Sequence, residues 1–397
     1  MNRIPVCIFD PSRTAFENGY LFCDGDDVLD VRTDSTSPGG LYICPGLIDS
    51  HAHVYPGVTE LGVCADEVGI AQGVHLVVDA GSAGAVTLPC FRDVIAPACG
   101  TQIKAFLHIS KIGFVTKQPY ADPRFLDAGL AADTIRRDTG GFLVGLKVCS
   151  SGTIVESAGL APLEQTVRAA ELAGCRMMVH LAEGPPSNGQ TLPMLRRGDI
   201  ITHVFHGAFL REASLRANRG AEPLQEYCKL DNLLWDSRGA PVKELEQAIE
   251  RGVRLDVGHG AASFDKEIAA RVIAAGFRDF SISTDVHVRN ISGVVRGMPD
   301  TISKFLALGM TLPEVIRSVT VLPAENLGLK DWCGNLQTRA TIFRLRPVRA
   351  DDVPLTDAYG REIETEKRFE SAAVIRKGKL QVLNGAAAAL RGYPYFP

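Results

Sequence analysis

The chain has 397 residues, enough for one large domain and a small one. Its 42 basic and 46 acidic residues give a formal charge of −4. That balance leaves no cationic excess for nucleic acid and no polybasic cluster for an anionic membrane, so the expected partner is a small molecule. The ten cysteines are irregularly spaced with no C-x₂-C pair, and a chain of this size needs no disulfide framework, so reduced thiols in the cytoplasm are expected. Pro5 and Asp10 interrupt the first residues before a signal-peptide core could form, and no apolar run is long enough to span a bilayer.

In chain order, residues 1–40 carry Gly19, Gly25, Gly39 and Gly40 among short strand-like runs. From there eight apolar, β-branched runs alternate with helical stretches: 41–48, 74–80, 103–110, 143–149, 176–182, 199–205, 253–258 and 280–285. Several are nearly continuous in hydrophobicity, as strands covered on both faces require. Amphipathic segments lie between them at 162–173, 241–251 and 264–275, the last with Ser263 as its expected N-cap and Asp265 in its first turn. Segments 301–308 and 312–319 also read as helices, the second opening on the capping-box spelling Thr311-Leu-Pro-Glu314. Eight strands with helical crossovers predict an α/β fold, a (β/α)₈ TIM barrel over residues 45–330. Residues 340–382 resume the β-rich style of the start. The two terminal pieces, 1–44 and 331–397, are therefore expected to pair into one small β-sandwich domain that covers both sets of strand edges. The 386–389 alanine run and the 392–397 tail are expected to pack peripherally.

Active-site groups in such a barrel come from the C-terminal ends of strands. The first strand runs into His51-Ala-His53, where residues i and i+2 of an extended segment point the same way and can reach one ion. The fourth, Leu143-Val-Gly-Leu-Lys147-Val-Cys149, holds a lone lysine in an apolar run. A buried ammonium needs a carboxylate partner or a lowered pKa. A neutral lysine that takes up CO₂ becomes a carbamate, which can bridge two cations, and the surrounding histidines favour that reading. The fifth and sixth strands end at His180 and His203, and the eighth at Asp285, a metal ligand and general base by position. Single strand-end histidines are commonly satisfied core residues; here all six positions converge on one rim. His259, His206 and Arg289 are candidate substrate contacts, set against second-layer support, a loop hydrogen bond and a solvent salt bridge respectively. His75, at the opposite end of the barrel, reads as structural, His108 as support for the site, and Cys149 as the one cysteine near it. Neither a Gly-rich phosphate loop nor a nucleophile elbow is present.

These six residues in this order resemble the amidohydrolase superfamily in its binuclear form with a carboxylated lysine. The likeness extends over Cys44-Pro-Gly-Leu-Ile-Asp-Ser-His-Ala-His53 and Val321-Leu-Pro-Ala-Glu-Asn-Leu327. Within it, Asp256-Val-Gly-His-Gly260, Ser263-Phe264, Ser283-Thr-Asp285 and Thr301-Ile-Ser-Lys-Phe-Leu-Ala-Leu-Gly309 are similar to the dihydroorotase-like amidohydrolase/deacetylase group. The resemblance implies two divalent metal ions, zinc being the best match to N/O ligands. His51, His53 and Asp285 would hold one ion, His180 and His203 the other, with the Lys147 carbamate and a hydroxide between them. It further implies cleavage of an amide or ester in a small N-acyl or O-acyl carboxylate. The alternatives are a cyclic-amide hydrolase of dihydroorotase or hydantoinase type, and a barrel that binds without catalysis. Two positions depart from the group: Cys149 stands where an arginine commonly follows the lysine, and His206 where an asparagine is expected. A homo-oligomer is expected from the general habit of large barrels.

Overall fold

The chain begins with β1 (Asn2–Asp10), β2 (Ala15–Asp24), β3 (Asp27–Thr33) and β4 (Leu41–Pro45), and passes through Gly46 into β5 (Leu47–Ala52). The computed structural model describes residues 2–207 and 232–383; the 386–389 run and the 392–397 tail lie outside the described residues. The run expected as a single strand over 41–48 is thus two. β4 pairs with β1 in parallel and belongs to the terminal domain, whereas β5 pairs with the next barrel strand.

From β5 the sheet grows in chain order through β6 (Val74–Gly84), β7 (Gln102–His108), β8 (Leu143–Ser150), β9 (Met177–Leu181), β10 (Ile200–Thr202) and β11 (Arg254–Leu255). Every pairing is parallel. All of β6 is buried, as a strand covered on both faces should be. The eighth run closes the circle through two parallel bridges, Asp256↔Ser281 on one side and Ala52↔Val286 on the other. It and β11 are shorter than their apolar runs suggest. Gly258, Gly260 and Asp285 take left-handed backbone conformations (φ 47°, 57° and 47°), which break the ladder and turn the strand ends over the barrel mouth.

Helices cover the outside. Ala161–Ala173 is closed by Gly174 in the left-handed conformation, and Leu312–Val319 opens on the expected Thr311/Glu314 capping box. Helix Lys266–Ala274 is capped by Asp265, whose carboxylate accepts from the backbone N–H groups of Glu267 and Ile268. Asp265 therefore takes the N-cap place expected for Ser263; its carboxylate lies within reach of both orphan amides. Under the last three strands Phe205, Phe264, Phe280 and Phe305 interlock, with Phe205 edge-on to Phe280 at 5.1 Å. This block fixes the chain directly after His203.

The last strands, β12 (Arg339–Pro347), β13 (Lys367–Arg376) and β14 (Lys379–Val382), join the first four in the order β1-β2-β3-β14-β13-β12-β4, and the β1–β4 pair closes the ring. Ile4, Val6, Leu21, Ile43, Ile342 and Val374 fill its interior. Both termini thus build one small β domain. His75, at the start of β6, hydrogen-bonds the Ala340 carbonyl at 3.0 Å, and the Trp332 indole donates to Gly46 O at 2.7 Å, so the two domains are latched at the barrel's closed end. Among the described residues no helix is long and apolar enough to cross a membrane.

Candidate active site

Six side chains from five strands share one cavity of about 160 Å³: His51, His53, Lys147, His180, His203 and Asp285. Leu61, Phe114, Cys149, Ile154 and His287 complete its wall. The ligand atoms of His51, His53 and Asp285 lie within 4.8 Å of one another. Asp285 Oδ1 is 3.4 Å from His51 Nε2 and 3.3 Å from His53 Nε2. The His203 ring centre is 5.0 Å from that of His51 and 4.2 Å from that of His180.

Hydrogen bonds behind the rings decide which nitrogen faces the cavity. Asp256 is buried and accepts from the hydroxyls of Ser50, Thr202, Ser281 and Ser283. Because Thr202 Oγ1 gives its proton to Asp256, it accepts from His51 Nδ1 at 2.8 Å. His203 Nδ1 donates to Gly258 O at 2.7 Å, and His53 Nδ1 lies 2.9 Å from Ser82 Oγ. With Nδ1 donating, the Nε2 of His51 and that of His203 each present a lone pair to the cavity, the arrangement metal-binding imidazoles use. Burial pushes the His51 and His180 rings well below the usual imidazole range and His203 to about 4, so they are neutral near pH 7. The Nε2 of His203 is buried with no hydrogen-bond partner among the described residues. An orphaned acceptor of this kind suits a cation.

Burial works to raise the Asp285 carboxyl, but the His53 hydrogen bond and the nearby rings of His203 and His287 outweigh it and hold the group at about 2. Asp285 and His203 both sit at positive φ, 47° and 69°, a strain of about 1–3 kcal/mol each that clusters at functional sites. Gly258 makes the His203 turn possible, since a Cβ there would fall 2.8 Å from His203 Nδ1 and 2.3 Å from Thr202 Oγ1.

Lys147 is 1% exposed, and its ammonium nitrogen is 3.4 Å from His51 Nε2. Among the described residues it has no salt bridge to a carboxylate, so the alternative of a paired structural lysine finds no partner here. Burial pushes its pKa down, toward the neutral amine that CO₂ requires. The donor set therefore fits divalent ions: four imidazoles, one ionised carboxylate, and an amine that can become a carboxylate-like bridge.

No family model matches the sequence. The crystal structure of an adenine deaminase superimposes with a TM-score of 0.79 at 27% identity, covering 95% of this chain and 98% of that one. That of a dihydroorotase gives 0.78 at 28%, covering 96% and 98%. A deacetylase from Agrobacterium fabrum is 32% identical over 338 residues, 83% of this chain and 76% of that protein. One from Enterococcus faecalis is 31% identical over 328 residues, 81% of each. The chain belongs to the amidohydrolase superfamily. It is a metal-dependent hydrolytic enzyme with that superfamily's barrel and flanking β domain.

The remaining expected residues of this amidohydrolase fall in different places. Arg289 is half exposed at the mouth, with Nη2 2.6 Å from Glu60 Oε2. His259 is buried behind the cavity wall, where its Nδ1 donates to Gly260 O and its Nε2 lies 2.9 Å from Lys304 Nζ. His206 is buried, its Nε2 without a hydrogen-bond partner among the described residues, and burial holds it at about 4. Neither histidine lines the cavity among the described residues. His108 supports the site: its Nδ1 accepts from Ser110 N, and its ring stacks on Tyr120, whose hydroxyl oxygen accepts from Cys149 N at 2.8 Å. Cys149 faces the cavity as a neutral thiol, pushed up to about 11 by burial. Sequence reasoning missed His287, which lines the cavity 6.3 Å ring-to-ring from His53. Its signal was available, because His287 follows Asp285 at the same i+2 spacing that links His51 to His53.

Proposed function

We propose that this amidohydrolase removes an acyl group, as a deacetylase, from a small N-acyl or O-acyl carboxylate. Its centre would hold two divalent ions, zinc by preference. His51, His53 and Asp285 would hold one ion and His180 and His203 the other, with Lys147, as a carbamate, available to both. The observation that carries the reading is the meeting of the His51 and His53 Nε2 atoms at Asp285, with the buried, unpartnered His203 Nε2 lining the same cavity. Bound ions of this type polarise a carbonyl and lower the pKa of water so that a nucleophile exists near neutral pH.

The chain's own groups do the rest. Lys147 Nζ adds CO₂ and loses a proton to become the carbamate. Asp285, ionised throughout the neutral range, accepts the proton of the attacking water and returns it to the leaving nitrogen or oxygen as the acyl bond breaks. Thr202, Asp256 and Gly258 hold the rings in the tautomer this needs. Leu61, Phe114 and Ile154 shield the reacting atoms from bulk water. The nine described cysteines are free, which suits a reducing compartment; we assign the protein to the cytoplasm, acting on a small molecule, and as a homo-oligomer.

The likeness to a dihydroorotase structure at 28% identity favours cyclic-amide hydrolysis as the second reading. Assays of purified protein on N-acetyl and O-acetyl carboxylates, beside ring opening of dihydroorotate and hydantoins, separate the two. Acyl release that falls by at least about 100-fold in Asp285→Asn supports the deacetylase reading. Undiminished acyl release in that variant contradicts the assigned base, and ring opening alone moves the second reading ahead.

A further inference from the structure

Outside the inner cavity lies a second chamber of about 220 Å³, walled by Glu60, Thr116, Lys117 and Arg289 together with Leu61, Phe114 and Ile154. Those last three residues line both spaces, so the chambers are neighbours with Leu61, Phe114 and Ile154 between them. Val288 N donates to Leu61 O at 3.0 Å, which ties the segment after Asp285 to the segment after His53 and sets Arg289 beside Glu60. The Arg289 backbone N–H is also bonded to His287 Nδ1, at 3.2 Å. The outer chamber is thus anchored to the rim of the inner one.

The charges are divided between the two. Apart from Lys147, no lysine or arginine lines the inner cavity among the described residues, and the wall position two residues beyond Lys147 is the uncharged Cys149. The outer chamber holds two cations against one carboxylate. Glu60 Oε2 lies 2.6 Å from Arg289 Nη2 and 3.6 Å from Lys117 Nζ. Among the described residues Glu60 engages only Nη2 of the guanidinium, leaving its other N–H groups for a second acceptor, and a planar guanidinium is built for bidentate carboxylate binding.

We infer that the outer chamber is the anion-recognition subsite of this enzyme: a substrate carboxylate docks between Arg289 and Lys117, and the body of the molecule reaches past Phe114 into the inner cavity. That the acyl end is the part reaching inward rests on the hydrolase reading above; the anion site itself does not. Glu60 acts as a resident competitor. It keeps the two cations together in the free enzyme and gives way when the substrate's carboxylate arrives, so removing its charge tightens anion binding.

The test is calorimetric titration of the full-length protein, metal-loaded and after chelation, with phenylacetate and with its neutral counterpart phenylacetamide. Arg289→Gln is expected to weaken phenylacetate binding about two- to fivefold in both preparations, the scale of one half-exposed ion pair. Lys117→Gln weakens it less, Glu60→Gln strengthens it, and added salt weakens it in the wild type. Phenylacetamide affinity follows none of these charge changes. Phenylacetate binding that ignores Arg289→Gln, falls in step with phenylacetamide, vanishes on chelation, or is absent from the wild type overturns the subsite. If the charge-dependent shifts are found but no acyl compound is hydrolysed, the hydrolase reading fails and the subsite stands.

Discussion

Thr202 does not touch the cavity, yet it sets which nitrogen of His51 faces it. Its hydroxyl is committed to Asp256, so it can only accept from His51 Nδ1. Thr202→Val keeps the shape but removes that acceptor and one of four donors to Asp256. Metal affinity is expected to fall about 10–100-fold, as for other partners that orient a ligand, measured by competition with a chromophoric chelator. Thr202→Ser should restore most of it. Unchanged affinity in the valine variant would mean that the ring is oriented by packing alone. The sequence made His51, His53, Lys147, His180, His203 and Asp285 legible because each is a polar residue at or inside an apolar strand run. It could not reveal Thr202, Asp256 or Glu60, whose importance depends on which hydroxyl or cation meets them across the fold. His259 shows the converse. Its place after the seventh strand left a substrate contact and support behind the site equally open, and the structure sets it against Lys304, a lysine that burial brings down to about 7.

At the level of elements, the alternation of apolar runs predicted the barrel and placed its strands in order. Where reading and structure differ, the cause is local backbone geometry. The run at 41–48 is split between two domains, and the seventh and eighth strands are cut short where Gly258, Gly260 and Asp285 turn left-handed, the last of them placing its carboxylate in the cavity. Such conformations are chosen by the site, and hydrophobic patterning does not encode them. Caps are the opposite case, because they are spelled in the sequence. Thr311 and Glu314 form the reciprocal box expected of them, Thr311 N donating to Glu314 Oε2 at 2.8 Å. Thr311→Ala is expected to lower stability by about 1 kcal/mol in urea titration while leaving metal content unchanged. A variant as stable as wild type would show that packing of the helix's inner face alone holds it.

Across the whole molecule, the latch between domains contains a buried titratable group. Burial holds the His75 ring at about 4, below its ordinary value of 6.5, while Nε2 donates to Ala340 O. Between those values the unfolded chain binds the extra proton and the folded chain does not. The stability linked to the neutral ring is therefore fully present above about pH 6.5 and is lost as pH falls through about 4. Two and a half pKa units correspond to about 3 kcal/mol at most. Urea titrations at pH 7 and pH 4.5 should show a drop that is smaller in His75→Gln than in wild type, and an equal drop in both would place the acid sensitivity elsewhere.

The association of the two terminal pieces into one domain was legible because neither could cover its strand edges alone. The latch was not, since it depends on which carbonyl β12 presents to β6. The central claim, a two-ion hydrolytic centre bridged by Lys147, is tested most directly by elemental analysis. The protein is expressed with added zinc and bicarbonate, wild type beside Lys147→Ala. About two ions per chain in wild type, falling in the variant, is the predicted result. One ion in both would reduce Lys147 to a structural lysine, and no metal in either would contradict the proposed centre outright.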